Sequence, residues 1–176
     1  MLPQGPTMVD RAVAAEAAGL AMVLVEGPMG SETIRAAGVA AQTTYVRIAV
    51  RLRFGAEDPV TLAEEVAVLD NVANGRVIVV PEAASAAELA LFEDALAGKE
   101  VRGVRIRPLP AQLAVPVWPD ANVAALPIDL GQARTVLAGF DHLFANWDGD
   151  PADLFRLAAP PVVGALAERF RHHPPE

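Results

Sequence analysis

The feature that most constrains the fold is the regular alternation of helix-type and strand-type segments over the first 107 residues. A helix pattern opens at a capping box, Thr7 to Asp10, and stops at Gly19, and a continuous apolar run, Leu20–Val25, follows it. A run of this kind is typical of a fully buried parallel strand. Parallel strands need crossover connections, which are usually helices, so the alternation predicts a parallel sheet.

The same unit recurs further along the chain. Later helices are predicted over residues 31–42, 58–75 and 85–98, each opening at Ser or Asp. The strands that follow them are predicted over residues 45–53, 77–80 and 101–107. Five prolines between residues 108 and 127 predict short or edge strands there, such as Leu113–Trp118. Beyond them we predict helices over 131–138, 151–157 and 161–171 and a strand over 140–146.

The length of the chain limits how complete a barrel these alternating helices and strands can form. A barrel of eight strand-helix units needs at least about 200 residues, and this chain has 176. We therefore expect an α/β fold, an incomplete or compressed TIM-type barrel of parallel strands with outer helices, formed by one domain over residues 1–176 with a disordered tail at 172–176.

Net charge and composition limit the classes of molecule that this chain is expected to bind. The net charge of −8 disfavours nucleic acid and anionic membranes, which need a basic surface. The chain has no cysteine, which excludes disulfides and thiol catalysis, and no His, Asp or Glu group has metal-ligand spacing. This spacing leads us to expect that the chain binds no metal. The N-terminus has no basic region followed by an apolar run, so we expect a cytoplasmic protein.

Several segments together resemble one known family. Residues 59–76 contain a proline, Ala-Glu-Glu, Leu-Asp and Gly-Arg in the order found in luciferase-like flavin-dependent monooxygenases. Further likenesses to that family lie at residues 15–20, 40–48, 116–118 and 139–143. The resemblance covers residues 8–82 well and the remainder loosely.

The resemblance implies a function. Members of this family are α/β barrels, commonly dimeric, that use reduced FMN to activate oxygen or a deazaflavin coenzyme for hydride transfer. It therefore implies a monooxygenase or related oxidoreductase acting on a small organic substrate. It also implies a homodimer, or a heterodimer with a luciferase-like protein.

Two departures from the family pattern support a second hypothesis. Many members carry Glu-His or Asp-His after the second strand, whereas Glu26 is followed here by Gly27-Pro28. The strand after Gly-Arg usually ends in glycines, and residues 77–82 contain none. The alternative is a non-catalytic member, either a flavin-binding protein or a structural dimer subunit without cofactor. An unrelated α/β binding module is the third possibility.

The candidate site residues are one acid and four arginines. Glu26 follows a buried strand, where barrels place functional groups, and is the candidate catalytic residue; the alternative is a solvated acid near a helix start. Arg47, Arg51 and Arg53 share one strand face by period two and could bind the cofactor's phosphate, or form a solvated face. Arg76, in the family segment, is a further cofactor-binding candidate, or forms a structural pair with Asp70.

Overall fold

The computed structural model describes residues 7–119, 122–125, 143–146 and 152–153. Its contacts divide the chain into two compact units, Met1–Ala121 and Asn122–Glu176. Four helices and three strands alternate in the first unit: α1 (Met8–Ala17), β1 (Met22–Val25), α2 (Glu32–Gln42), β2 (Arg47–Arg53), α3 (Pro59–Val72), β3 (Val77–Glu82) and α4 (Ala86–Leu96). The strands form one parallel sheet in the order β1-β2-β3. The predicted α/β fold with a parallel sheet is confirmed here.

The helices begin where the sequence has capping residues. Thr7 and Ser85 each form a complete capping box, with Asp10 and Glu88 as the reciprocal acids. Asp58 caps α3 by accepting a hydrogen bond from the Val60 N–H at 2.9 Å. Local sequence therefore sets these boundaries.

The core lies between the sheet and the helices. Side chains at alternate positions of β2 and β3 point to this face and are fully or almost fully buried: Ile48, Val50, Leu52, Val77 and Val79. Apolar residues of α2, α3 and α4 pack against them, among them Val39, Val66 and Phe92. The rings of Phe54 and Phe92 meet edge to face at 5.4 Å. The arginines of β2 consequently lie on the opposite face of the sheet.

Two local predictions are wrong. Residues 101–107 form no strand: Val101 and Val104 pair around a tight turn in which Arg102 and Gly103 have φ of 52° and 79°. Positive φ is incompatible with extended backbone, so the alternating pattern could not persist. The strand β1 is also less buried than its apolar run predicts, because Val25 alone among its four residues is buried.

A single residue pair extends the sheet beyond β3. The N–H of Val79 donates to the Pro116 carbonyl, and the Trp118 N–H donates to the Val79 carbonyl, both at 2.8 Å. Val117 thus pairs with Val79 in parallel. This agrees with the expectation that strands in the proline-rich segment are short.

The second unit contains a parallel strand pair, β4 (Asn122–Ala125) and β5 (Leu143–Asn146). The strand β5 falls within the predicted strand at 140–146, whereas β4 was not predicted. Ala152 and Asp153 are helical, as expected for 151–157. The predicted helices at 131–138 and 161–171, with the tail at 172–176, lie outside the described residues. Barrel closure and the single domain stay predictions.

Among the residues that the structure describes, no helix combines the length and apolar character that crossing a bilayer requires.

Candidate functional site

Four charged side chains meet at the carboxyl ends of the three parallel strands. Glu26 directly follows β1, Arg51 and Arg53 lie near the end of β2, and Glu82 ends β3. The register pairs Arg53 with Glu82 and Val25 with Val50, which places Glu26 beside Arg51. We call these four residues the carboxyl-edge cluster. In α/β folds this edge of the sheet carries the functional groups.

The cluster is a chain of alternating charges. Arg51 Nη1 donates to Glu26 Oε1 at 2.6 Å, and Arg51 Nη2 lies 3.3 Å from Glu82 Oε1. Arg53 Nε donates to Glu82 Oε2 at 2.9 Å. Their side chains are between 31% and 50% exposed, so water still reaches all four and a ligand could too.

The two arginines differ in what remains free on each. The hydrogen bond to Glu26 raises the pKa of Arg51; partial burial opposes this, and the charge of Glu82 adds to it. Both Nη atoms of Arg51 contact glutamates of the cluster, Nη1 with Glu26 and Nη2 with Glu82. Within the described part of the chain, the Nη atoms of Arg53 make no hydrogen bond. Arg53 can consequently offer paired N–H donors to an oxyanion.

Arg47, a predicted cofactor-binding residue, lies at the other end of β2. It begins the strand, is exposed, and is four residues from Arg51, a separation of roughly 13 Å along an extended chain. The strand face that the sequence predicted is thus correct, but its arginines do not form one group. Glu26 is placed with Arg51 and not with Arg47.

Arg76, the other candidate, also lies at the amino end of the sheet. Its Nε donates to the Ala73 carbonyl, and its Nη atoms donate to the carbonyls of Ala40, Thr43 and Val46 and to the Thr43 hydroxyl. These five bonds use every N–H that a guanidinium has. Arg76 therefore joins the end of α2 to the start of β2 and the end of α3.

Asp70 has different partners from the predicted one. It has no solvent exposure and accepts hydrogen bonds from the Val77 N–H, the Gln112 N–H and the Gln112 side-chain amide. Arg76 donates elsewhere, so the proposed Asp70–Arg76 pair does not form. The family segment instead fixes β3 and residue 112 through Asp70, and α2 through Arg76.

Gly27, in the loop after β1, lies where many members of the resembled family carry a histidine. A Cβ atom at Gly27 would lie 2.7 Å from Cδ of Arg35 and 3.0 Å from Oγ of Ser31. A larger residue at position 27 therefore requires Arg35 to move. Ser31 Oγ donates to the Pro28 carbonyl, which closes this loop into a turn.

Glu57, in the loop after β2, is the site residue with the least obvious sequence signal. Its Oε2 atom is shielded from solvent and has no hydrogen-bond partner among the described residues. Its Oε1 atom lies 3.5 Å from the position of a Cβ at Gly30, so the loops after β1 and β2 meet here. Nothing in the sequence distinguishes Glu57 from a solvated loop acid.

The segment that builds most of this site matches a known family. Residues 3–80 match the sequence model of the family described as luciferase-like monooxygenase. These residues, which make up less than half of the 176-residue chain, are called the luciferase-like segment. The luciferase-like segment contains α1 to β3 up to Val80, with Glu26, Arg51, Arg53 and Glu57. No curated protein sequence matches the chain.

Solved structures show a related fold. The monooxygenase RslO1 from Streptomyces bottropensis aligns over 96% of this chain and 61% of its own, with 17% identity and a TM-score of 0.50. The oxygenating constituent of 3,6-diketocamphane monooxygenase from Pseudomonas putida, solved with FMN, aligns over 96% and 57%, with 14% identity and a TM-score of 0.47. This chain spans about three-fifths of the length of RslO1.

Sequence reasoning missed two members of this region. One is Glu57, and the other is Glu82, which was not a candidate because its strand was predicted to end at Val80. The register with β2 is what places Glu82 opposite Arg53.

In the described residues no three His, Asp or Glu side chains converge as a metal site would need. The chemistry available at this edge is therefore proton exchange at carboxylates and anion binding at guanidinium groups.

Proposed function

We propose that this chain is a luciferase-like monooxygenase that binds a flavin at the carboxyl edge of its sheet and acts on a small organic substrate. The observation that carries the proposal is the match over residues 3–80, which contains three of the four members of the carboxyl-edge cluster. The family supplies the activity, and the cluster supplies polar groups at the edge where such a fold binds ligands.

The residues at this edge fit a flavin. The free Nη donors of Arg53 suit a phosphate, and the unpartnered oxygen of Glu57 suits a donor group. We propose reduced FMN or a deazaflavin coenzyme, which when bound supplies oxygen activation or hydride transfer respectively. Of the four arginines that the sequence singles out, the geometry favours Arg53, because Glu26 and Glu82 already occupy both Nη atoms of Arg51. Arg47 and Arg76 lie at the amino end of the sheet.

Glu26 is the proposed catalytic group. Arg51 holds its Oε1 atom, which fixes the orientation of the carboxylate. Its side chain is 50% exposed, and Oε2 has no hydrogen bond within the described residues. Glu26 can therefore accept a proton or a hydrogen bond from a substrate at the strand end.

The second candidate function is a non-catalytic flavin-binding protein or a structural subunit of a luciferase-like dimer. One observation favours it. A side chain larger than glycine at position 27 would require Arg35 to move, and many members of the family that the chain resembles carry a histidine there. Both candidates imply a homodimer, or a heterodimer with a luciferase-like protein, which sedimentation equilibrium and co-purification with a neighbouring gene product would detect.

Flavin binding is the first test. Purified protein is titrated with FMN and, separately, with a deazaflavin coenzyme, and the visible absorbance and fluorescence are followed. We expect saturable binding at micromolar concentrations that Arg53→Ala weakens and Arg47→Ala does not. If neither chromophore binds, both the enzyme and the flavin-binding hypotheses fail.

Oxygen chemistry separates the two candidates. Photoreduced FMN is mixed with oxygen in the presence of the protein, and the rate of flavin reoxidation is compared with that of free FMN. A monooxygenase changes this rate, and Glu26→Gln alters the change. Binding with an unaltered rate favours the non-catalytic protein.

A further inference from the structure

Glu57 has a buried acceptor atom that no element of the described structure uses. It lies between the end of β2 and Asp58, which caps α3. Its Oε2 atom alone, among the buried side-chain oxygen and nitrogen atoms of the described residues, has no hydrogen-bond partner. Buried polar groups are nearly always paired, so an exception calls for a physical explanation.

A capping role does not explain Glu57. The N–H groups at the two adjacent helix starts already have acidic partners. The Ser31 N–H donates to Glu32 Oε2 and the Val60 N–H donates to Asp58 Oδ1, both at 2.9 Å. Glu57 is therefore left facing the loop at Gly30, with an oxygen that local donors do not satisfy.

Keeping a carboxylate oxygen out of water without a donor destabilises a folded chain. An unpaired group of this kind is one sign of a binding or catalytic site. The loops after β1 and β2 both lie at the carboxyl edge, so Glu57 belongs to the same end of the sheet as the carboxyl-edge cluster.

We propose that Oε2 of Glu57 accepts a hydrogen bond from a donor group of the bound flavin, which makes Glu57 a binding residue. The inference rests on the proposed function. An ionised carboxylate can only accept hydrogen bonds. The oxidised isoalloxazine ring offers one N–H donor, at the imide nitrogen N3, and the ribityl chain offers hydroxyl donors. Either source supplies the chemistry that Glu57 requires.

Three flavins distinguish the two sources. Dissociation constants of riboflavin, lumiflavin and 3-methyllumiflavin are measured by fluorescence for the full chain and for Glu57→Ala. We expect Glu57→Ala to weaken riboflavin binding about tenfold. If the imide is the donor, methylation at N3 weakens binding to the native chain and not to the variant. If a ribityl hydroxyl is the donor, the preference for riboflavin over lumiflavin disappears in the variant.

Thermal unfolding gives an independent readout. Because Glu57 makes no structural hydrogen bond through Oε2, Glu57→Gln is expected to leave the Tm unchanged or higher. Glu64→Gln, an exposed position on α3, is the matched control for both measurements. A Tm lowered by several degrees in Glu57→Gln, with Glu64→Gln unchanged, would show a structural role and overturn the inference.

The outcomes also separate the two proposals. If the native chain binds neither FMN nor a deazaflavin coenzyme, the proposed function fails and this inference fails with it. If flavins bind but every ligand preference is the same in Glu57→Ala as in the native chain, only the role of Glu57 is refuted.

Discussion

Asp70 shows how a single side chain can organise a segment. It is fully buried and receives three N–H donors, two of them from Gln112, which lies 42 positions further along the chain. Hydrogen bonds to a charged acceptor are the strong ones, and losing the acceptor leaves buried donors unpaired. The Asp of the Leu-Asp motif is therefore structural in this chain.

We expect Asp70→Asn to lower the free energy of unfolding by about 3 kcal/mol, because an amide can replace one carboxylate oxygen but turns a donor toward the remaining N–H groups. Urea denaturation measures the change. Asp94→Asn is the control: Asp94 is 49% exposed and pairs with Lys99. Its effect should stay below about 1 kcal/mol. Equal effects of the two substitutions would contradict the assignment.

At the scale of elements, two charged side chains hold the loop between α2 and β2 in place. Arg76 is hard to replace, because its planar guanidinium group donates to four carbonyls and one hydroxyl at the ends of three elements. Glu16, at the end of α1, holds the same loop from the other side by accepting the N–H groups of Thr44, Tyr45 and Val46. The loop between α2 and β2 is thus held by one cation and one anion.

Arg76→Lys is expected to lower the free energy of unfolding by about 2 kcal/mol although the charge is kept, because an ammonium group has three donors and no planar fork. Chemical denaturation followed by tryptophan fluorescence or circular dichroism measures this. Arg47→Lys, at an exposed position, should have no measurable effect. A harmless Arg76→Lys would mean that the five bonds contribute little.

The Glu16 contacts predict a pH dependence. Burial alone would raise the pKa of Glu16, but the N–H groups of Val46, Tyr45 and Thr44 and the charge of Arg76 outweigh it and lower the pKa. A carboxyl whose pKa is lower in the folded state adds stability above its unfolded pKa, near 4.3, and this stability is lost as pH falls through the folded value.

We therefore expect Glu16→Gln to be less stable than the native chain at pH 7, with the two unfolding midpoints converging as the pH falls below about 4. Urea melts at successive pH values test this. Glu64→Gln should follow the native curve throughout. A constant difference between Glu16→Gln and the native chain across this range would contradict the linkage.

At the scale of the molecule, the described chain consists of two compact units. Every buried residue of the main core cluster lies between Ala12 and Ile106, inside the first unit. A domain needs its own core, and the first unit has one. The luciferase-like segment, residues 3–80, also falls within this unit.

We expect a fragment of residues 1–121 to unfold in one cooperative transition, because its core is contained within it. Calorimetry or circular dichroism on the fragment and on the full chain would measure this. A fragment that shows helical signal but no cooperative transition would indicate that the single domain predicted from sequence is needed for folding.

Particular residues show where sequence reasoning succeeded and where it stopped. The capping box at Thr7, the cap at Asp58 and the glycine stop at Gly75 are local signals, and the structure places helix ends at each. The alternation in residues 101–107 was equally regular, yet a turn at Gly103 interrupts it. Periodicity alone could not reveal that the backbone there is left-handed.

By itself, the sequence determined the helix ends, the parallel α/β order, the face of β2 that carries the arginines, and the family segment, because caps, periodicity and motifs act over a few residues. Only the tertiary structure decided that Arg51 joins Glu26 while Arg47 and Arg76 lie at the other edge, that Glu82 joins Arg53, and that Glu57 has an unpaired oxygen. These outcomes depend on strand register and on contacts between distant loops, which no local pattern encodes.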